Sequence, residues 1–376
     1  MTSIKINDIL KAALKVGASD IHLKVGRSPL LRINGKLTAV KDAPKLSEED
    51  VRGIALSMMN DAQKKKYENS FEMDLAYSIS GLSRFRINVF QQRGTQAIAI
   101  RAIPFDILSF EKLNLPPILE KIANEERGLV ICTGTTGSGK STTLASMVDY
   151  INKRKARHIM TIEDPLEYTH MDRKSYINQR EIGIDTESFS NALRAALRED
   201  PDIILVGEMR DLESVEMCLA AAETGHLVLT TLHTLDAQET INRLLAVFPV
   251  HQQNQIRYQL SQVLKAIVSQ RLLLQADGHS RVPAVEVLLA TSRIKDLISD
   301  PIKTKEITMA IEEGNLHYEM QTFDQCLYNL HMKKLITYEE AMRQATNKDD
   351  LALRIQGVTS GSASLSRMEN FSQQQQ

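Results

Sequence analysis

Tryptophan is absent from this sequence of 376 residues, and all aromatic residues together make up only 5% of it. Proteins that bind single-stranded nucleic acid usually stack the bases on aromatic side chains along a basic groove. Here 46 lysines and arginines are balanced by 47 aspartates and glutamates, for a net charge of -1. The composition therefore argues against a nucleic-acid partner, and any function of the basic residues must depend on local clusters.

Cysteine is scarce as well. Cys132, Cys218 and Cys326 are widely spaced and form no C-x-x-C pair, whereas disulfide frameworks and zinc sites need cysteines at short spacing. The first residues, MTSIKINDILKAALK, lack the apolar core of a signal peptide, and no apolar run approaches the roughly 20 residues of a membrane span. We expect a cytoplasmic protein with free thiols and no transmembrane segment.

The first hundred residues have the pattern of an α+β domain. INDILKAALKVGA has the spacing of an amphipathic helix, SDIHLKVG alternates like a strand, and Asn34-Gly35 is a strong two-residue hairpin signal. The segment LSEEDVRGIALSMMNDAQKKKYEN is predicted to be helical, because its first turn is acidic and its last turn is basic.

A second domain follows a proline-bracketed connection. Pro104 and Pro116-Pro117 bound a segment that suits neither a long helix nor a central strand. From Gly128 onward, the apolar runs GLVICTG, HIMTIED, DIILVGE and HLVLTTLH alternate with helical segments, which predicts a parallel sheet flanked by helices. After Pro249 the pattern is mainly helical, and the Ser/Gln-rich end is predicted to be a disordered tail.

One motif indicates the chemistry of this second domain. Residues 134–141 read GTTGSGKS, which fits the phosphate-binding loop G-x-x-x-x-G-K-[ST] between an apolar strand and a helix. In such loops backbone N–H groups surround phosphate oxygens, the lysine pairs with the β- and γ-phosphates, and the serine hydroxyl binds Mg²⁺. The sequence therefore predicts that ATP and Mg²⁺ are the cofactors. The predicted nucleotide-binding residues are Gly134, Thr135, Thr136, Gly137, Ser138, Gly139, Lys140, Ser141 and Thr142.

Polar groups follow the later strands, and in a parallel sheet they should meet at one edge beside the phosphate loop. Hydrolysis needs one carboxylate to activate water and another to hold the metal shell. We assign Glu163 to the first role and Glu208, with Ser141, to the metal, and leave the reverse assignment open. His226 and His233 are candidate phosphate sensors or subunit-contact groups, although ordinary strand-end positions would also explain them. Asp164-Pro165 is either a turn or a further catalytic element.

The stretch RFRINVFQQRGTQAIAIR, residues 84–101, contains four arginines and no acidic residue. A hairpin turning at Arg93-Gly94 would place Arg86 directly opposite Arg101, which is destabilising unless an anion lies between them. Either the arginine stems cover apolar surface, or the pair receives the γ-phosphate of ATP bound by a neighbouring subunit. Arg84 is a reserve candidate for that role, and Arg93 at the turn is a weaker one.

Four segments, GTTGSGKSTT, TIEDPLEY, LREDPDIILVGEMRD and TGHLVLTTLHT, together resemble the secretion and type IV pilus ATPases, and their order is similar to that of the PilT/PilU retraction branch. The resemblance runs from ASDIHLKVG to MQTFDQCLYNL. It implies a PAS-like domain at residues 1–103, a linker at 104–116, a RecA-like ATPase domain with C-terminal helices at 117–358 and a tail at 359–376. It also implies a homo-hexamer at the inner-membrane base of the pilus that retracts the fibre through a platform protein and supports twitching motility.

Two departures from the family pattern leave alternatives open. Thr135 stands where the retraction family usually has proline, and TSRIKDLISD at residues 291–300 replaces the family's Ala-Ile-Arg helix start. The second departure favours an auxiliary PilU-type ATPase that works with a paralogue. An assembly or type II secretion ATPase is a further alternative, although the extra leading domain and four-cysteine motif usual in that group are missing. A nucleotide-binding ring without catalytic activity is the non-enzymatic alternative.

Overall fold

The computed structural model describes residues 5–33, 35–41, 43–79, 82–103 and 107–357. The described residues divide into two compact units: the first comprises those up to 103 together with 167–169, and the second comprises 107–166 and 170–357. The predicted tail at 359–376, Asn34 of the predicted hairpin and Pro104 of the predicted linker lie outside the described residues. Among the described residues no helix is long and apolar enough to cross a membrane.

The first unit is an α+β domain built on an antiparallel sheet, as the sequence predicts. The order of its six strands is β3-β2-β1-β6-β5-β4, and α1 buries Ile6, Leu10 and Ala13 in the apolar core of the unit. The elements of the first unit are α1 (Ile6–Lys15), β1 (Asp20–Lys24), β2 (Leu30–Ile33), β3 (Lys36–Ala39), α2 (Glu48–Ser57), α3 (Asp61–Tyr67), β4 (Glu72–Ile79), β5 (Ser83–Gln92) and β6 (Thr95–Ile103).

The segment predicted as one helical stretch, residues 46–69, forms two helices. Asn60 accepts a hydrogen bond from the Gln63 backbone N–H, and the Gln63 side chain accepts one from the Asn60 N–H. This reciprocal capping box starts α3 as a separate helix, with only three residues between the end of α2 at Ser57 and the first residue of α3. The acidic first turn therefore belongs to α2, and the basic last turn belongs to α3.

The predicted register of the β5–β6 hairpin is confirmed. Arg86 is the direct cross-strand partner of Arg101, and Gln92 pairs with Thr95 at the turn. Arg93 and Gly94 both have positive φ, at 50° and 75°, which is the conformation that a tight two-residue hairpin turn requires.

The second unit contains a seven-stranded sheet of order β13-β12-β7-β11-β10-β8-β9, in which every pairing is parallel except that of β12 with β13. Alternate residues of β7 enter two different apolar clusters, so helices cover both faces of the sheet. The elements of the second unit are α4 (Ile118–Ala123), β7 (Gly128–Thr133), α5 (Lys140–Arg154), β8 (His158–Glu163), β9 (Tyr176–Glu181), α6 (Phe189–Ala196), β10 (Ile203–Val206), α7 (Leu212–Glu223), β11 (Leu227–Leu232), α8 (Ala237–Ala246), α9 (Val250–Val263), β12 (Leu264–Leu274), β13 (Arg281–Leu289), α10 (Ser292–Ser299), a 3₁₀ helix (Lys303–Glu306), α11 (Ile307–Glu313), α12 (Asn315–Tyr318), α13 (Phe323–Met332), α14 (Tyr338–Gln344) and α15 (Lys348–Ile355).

The prediction of a mainly helical segment after Pro249 is wrong for residues 264–289. Strands β12 and β13 lie there and extend the parallel sheet at the β7 edge. Strand β12 begins at Leu264, directly after α9 ends at Val263, so no glycine or proline marks the change. Its residues 266–270 are all buried, so it also lacks the alternation that distinguishes a half-exposed strand from a helix.

Candidate nucleotide-binding site

The phosphate-binding motif forms a loop between β7 and α5, as predicted. Gly134, Gly137 and Gly139 all have positive φ, a backbone conformation that L side chains rarely adopt. At Gly134 there is also no space for a side chain, because an added Cβ would lie 2.4 Å from the carbonyl oxygen of Gln270. The glycines of the motif are therefore required by the shape of the loop, and the loop leads directly into the N-terminus of a long helix.

Lys140 is folded over this loop. Its Nζ donates hydrogen bonds to the carbonyl oxygens of Gly134, at 2.8 Å, and Thr135, at 3.1 Å, and only 7% of the residue is exposed. Burial lowers the pKa of the ammonium, while its electrostatic interactions with Cys132 and Glu208 act in the opposite direction. Glu208 is thus close enough to Lys140 for its charge to raise the pKa of the ammonium.

Two hydroxyl groups beside the loop are buried without a hydrogen-bond partner among the described residues. They are Ser138 Oγ, within the loop, and Thr133 Oγ1, at the end of β7. A buried hydroxyl without a partner is costly, so such groups in a native fold usually have a ligand or water to bind. The chemistry around the loop therefore fits an anionic group with several oxygen acceptors.

The two predicted carboxylates lie at the same edge of the sheet as the loop. Glu163 is the last residue of β8, and Glu208 follows β10 by two residues, while β8, β10, β11 and β7 are consecutive parallel neighbours. Glu163 Oε1 accepts a hydrogen bond from Thr161 Oγ1 at 2.8 Å. Glu208 contacts Arg210 Nε at 2.7 Å through one oxygen and His233 Nε2 at 3.6 Å through the other.

The two candidate histidines lie at opposite ends of β11. His233 follows the last residue of the strand and reaches Glu208, whereas His226 precedes the first residue, and its carbonyl oxygen accepts a hydrogen bond from the Gly128 N–H at 2.9 Å. The six residues of β11 separate the two histidines by roughly 20 Å. The phosphate-sensor role predicted for His226 therefore does not fit the site of its own chain, and the subunit-contact role stays a prediction.

Arg210 and Asp164 are further polar groups near Glu208. Arg210 NH1 lies 3.8 Å from Asp164 Oδ2, and the hydrogen bond to Glu208 raises the pKa of the guanidinium. Asp164 precedes Pro165 in a cis peptide directly after β8. Arg210 is not among the site residues predicted from the sequence. Its position two residues after Glu208, in the run GEMRD, is the signal that could have indicated it.

Among the described residues no group of three histidine, cysteine or acidic side chains could hold a metal ion on its own. Magnesium in nucleotide sites keeps several waters and binds to one or two protein ligands and to phosphate oxygens, so the absence of such a group is compatible with the predicted ion. The Ser141 hydroxyl, in the first turn of α5, and the Glu208 carboxylate are ligands of the right kind at the right edge of the sheet.

The arginines of the β5–β6 hairpin belong to a row that crosses four strands of the first unit. Arg32 on β2 pairs with Asp20 on β1, Asp20 pairs with Arg101 on β6, and Arg101 pairs with Arg86 on β5. Asp20 Oδ1 accepts a hydrogen bond from Arg101 Nε at 2.9 Å, and Asp20 Oδ2 lies 3.7 Å from Arg32 Nε. Burial acts to raise the pKa of Asp20, but the hydrogen bonds from Arg101 and Ser19 and the charge of Arg101 hold it below its usual value.

This row changes the interpretation of the hairpin's charge. The stretch 84–101 contains no acid, but Asp20 supplies a counter-charge from 81 residues earlier in the chain. Arg101 nevertheless keeps 68% of its side chain exposed, and Arg86 is also exposed. Asp20 therefore binds one edge of the Arg101 guanidinium and leaves the rest accessible to a further anion.

Comparison with known proteins identifies the family. The model of the family described as "Type II/IV secretion system protein" matches residues 2–370. The chain is 44% identical to the type IV pilus retraction ATPase PilT of Pseudomonas aeruginosa over 90% of its own length and 98% of that protein, and 40% identical to the type IV pilus ATPase PilU of the same organism over 94% and 91%. Its fold matches the crystal structure of the pilus retraction motor PilT with bound ADP, with a TM-score of 0.84 and 47% identity over 92% of this chain and 98% of that one. The chain therefore belongs to the type II/IV secretion system protein family.

Proposed function

We propose that this chain is an ATP-hydrolysing motor that retracts type IV pili and thereby supports twitching motility. The observation that carries the proposal is the convergence of the phosphate-binding loop, Glu163, Glu208 and His233 at one edge of a parallel sheet. The similarity to retraction ATPases covers most of the chain and supports the assignment of this site to pilus retraction.

In the proposed reaction the loop amides and the Lys140 ammonium bind the β- and γ-phosphates of ATP. Glu163 accepts a proton from the water whose oxygen bonds to the γ-phosphorus, while the bond from that phosphorus to the β–γ bridging oxygen breaks and ADP leaves. Glu208 and the Ser141 hydroxyl would hold the metal ion. Magnesium bound with the nucleotide supplies positive charge beside the phosphates. Exchange of the roles of Glu163 and Glu208 is the alternative assignment.

The exposed arginines Arg86 and Arg101 are proposed to act on ATP bound by a neighbouring subunit. Positive charge delivered in this way stabilises the transition state of phosphoryl transfer. This role requires an oligomer, which we propose to be a homo-hexamer that acts in the cytoplasm on a platform protein at the inner membrane. The similarity to PilU supports a second candidate, an auxiliary retraction ATPase that works with a paralogue.

The test of the enzymatic part is the ATPase activity of the purified protein beside a Lys140→Ala variant. Turnover well above that of the variant supports the proposal, and equal turnover in the two proteins would favour a nucleotide-binding ring without catalytic activity.

The test of the biological part is deletion of the gene. Hyperpiliated, non-motile cells are expected for a retraction motor, because pili would still be assembled but not withdrawn. Bald cells would instead indicate an assembly ATPase. Hyperpiliated cells that regain motility when a paralogue is overproduced would indicate the auxiliary role.

A further inference from the structure

Gln270 on β12 is a buried polar residue that is not among the predicted site residues. Only 1% of it is exposed, and it lies among the apolar side chains that pack between the sheet and α5. A primary amide in such surroundings is costly unless its oxygen and nitrogen are both hydrogen-bonded. Its partners therefore show what the residue stabilises.

The amide of Gln270 connects the two segments that flank the phosphate-binding loop. Its Nε2 donates to Thr143 Oγ1 at 2.9 Å, and its Oε1 accepts from Cys132 Sγ at 3.2 Å. Cys132 lies two residues before the loop, near the end of β7, and Thr143 lies in the first turn of α5. Burial raises the pKa of the Cys132 thiol to about 12, so this sulfur is a protonated donor at neutral pH.

The backbone of β12 touches the loop at the same place. Strand β12 pairs in parallel with β7 as far as the match of Ser269 with Thr133, the last residue before the loop. The next carbonyl oxygen, that of Gln270, lies 2.4 Å from the position that a Cβ on Gly134 would take. Backbone and side chain of one residue therefore contact the loop's entry, the strand before it and the helix after it.

We propose that Gln270 is a positioning residue for nucleotide binding. By fixing the end of β7 relative to the first turn of α5, its amide holds the loop in the shape that phosphate binding needs. The inference rests on the proposed role of the loop in binding nucleotide and extends that site to strand β12.

Gln270→Leu tests the proposal, because leucine has a similar volume and forms neither hydrogen bond. We expect its dissociation constant for ADP with Mg²⁺, measured by calorimetry, and its KM for ATP to rise about tenfold. The expected kcat stays within about twofold of the unchanged protein, because a loss of phosphate binding affects ground state and transition state alike.

Thr143 provides a second test, which does not depend on the folding of the Gln270 variant. Thr143→Ser keeps the hydroxyl acceptor and should bind ADP like the unchanged protein, whereas Thr143→Val removes it and should weaken ADP binding, by no more than Gln270→Leu does. The double variant should be no weaker than Gln270→Leu alone, since both changes break the same bond. Ser269→Ala is the matched control, because Ser269 is the neighbouring buried polar residue on the opposite face of β12 and should leave ADP binding unchanged.

Wild-type ADP affinity and KM in Gln270→Leu would overturn the inference, as would equal losses in Thr143→Ser and Thr143→Val. A loss of ADP binding in Ser269→Ala as large as that in Gln270→Leu would also overturn it. Any disturbance of β12 would then be enough to weaken ADP binding, whether or not it broke the Gln270 hydrogen bonds. Failure of the proposed function is distinguishable from all of these outcomes. A loop that does not bind nucleotide would give the unchanged protein and Lys140→Ala the same affinity for ADP, and a nucleotide-binding ring without catalytic activity would give the two proteins equal turnover but unequal affinity.

Discussion

Glu163 and Glu208 each accept a hydrogen bond that is compatible with the role proposed for it. Both oxygens of Glu208 have a basic partner, Arg210 on one side and His233 on the other, which fixes the plane of the carboxylate. A fixed plane suits a group that holds a metal shell. Glu163 accepts a hydrogen bond from the neutral hydroxyl of Thr161 at the strand end, which suits a group that takes up a proton during the reaction.

Glu163→Gln should keep ADP affinity unchanged and lower kcat by roughly 10²- to 10⁴-fold, the contribution usual for a positioned base. The measurement is steady-state ATP turnover beside calorimetric ADP binding. Glu216→Gln, at an exposed position on α7, is the control and should turn over normally. Full activity of Glu163→Gln would indicate that Glu208, and not Glu163, is the general base.

Glu286 on β13 is a buried acid whose protonation is linked to folding. Its Oε1 accepts hydrogen bonds from the Ala237 N–H at 2.8 Å and from Ser269 Oγ at 3.4 Å. Burial raises its pKa from 4.5 to about 7, with Asp236 adding to the rise and the Ala237 N–H and Arg271 opposing it. Between pH 4.5 and about 7 the folded protein therefore keeps the Glu286 proton, whereas the unfolded chain releases it.

The stabilisation from this retained proton is complete below pH 4.5 and is lost as the pH rises through about 7. We expect the free energy of unfolding to fall by up to about 3 kcal/mol across this window because of Glu286. Urea unfolding of the unchanged protein and of Glu286→Gln at several pH values measures the effect. The two pH profiles should diverge between pH 4.5 and about 7 and keep a constant separation above that, and profiles that stay parallel across the window would contradict the prediction.

At the scale of elements, the β5–β6 hairpin presents two like charges on one face of a sheet. Arg86 and Arg101 are opposite one another, and their Cβ atoms are about 5 Å apart by the geometry of antiparallel pairs. The alternative that the stems merely cover apolar surface suits them poorly, because both residues are exposed. An anion-binding role therefore accounts for the pair better than packing does.

Arg101→Ala should preserve the fold and the oligomer and lower kcat by about 10³-fold or more, since an arginine that acts on the transferring phosphate contributes that much. Gel filtration and ATP turnover are the measurements. Arg93→Asn is the matched control, because it removes a charge at the turn of the same hairpin and asparagine tolerates the positive φ found there. Unaltered turnover in Arg101→Ala would indicate that residues 84–101 form a basic hairpin in which Arg101 has no role in catalysis.

At the scale of the whole molecule, the arginine row and the phosphate-binding loop belong to different compact units. If the arginines act on a neighbour's nucleotide, activity depends on association of subunits. Specific ATPase activity should therefore fall as the protein is diluted to monomer and should recover on concentration. Analytical ultracentrifugation at the assay concentrations identifies the species present, and equal specific activity in monomer and oligomer would contradict the shared site.

Structural features that depend on short local signals could be predicted from the sequence. The loop, the strand ends and the β5–β6 register follow from short motifs and from the turn at Arg93-Gly94. Contacts between distant segments could not be predicted, because nothing near Arg101 indicates Asp20 and nothing near the loop indicates Gln270. Strand β12 was missed for the opposite reason, since it follows α9 without any break that a sequence pattern could show.

The carboxylate of Asp20 has a consequence for biogenesis. Because it neutralises part of the arginine row from within the same sheet, the first unit carries an internal counter-ion for Arg32 and Arg101. The newly made chain can therefore complete this sheet before it meets either nucleotide or another copy of itself. A subunit without bound nucleotide is then expected to keep the sheet of its first unit intact.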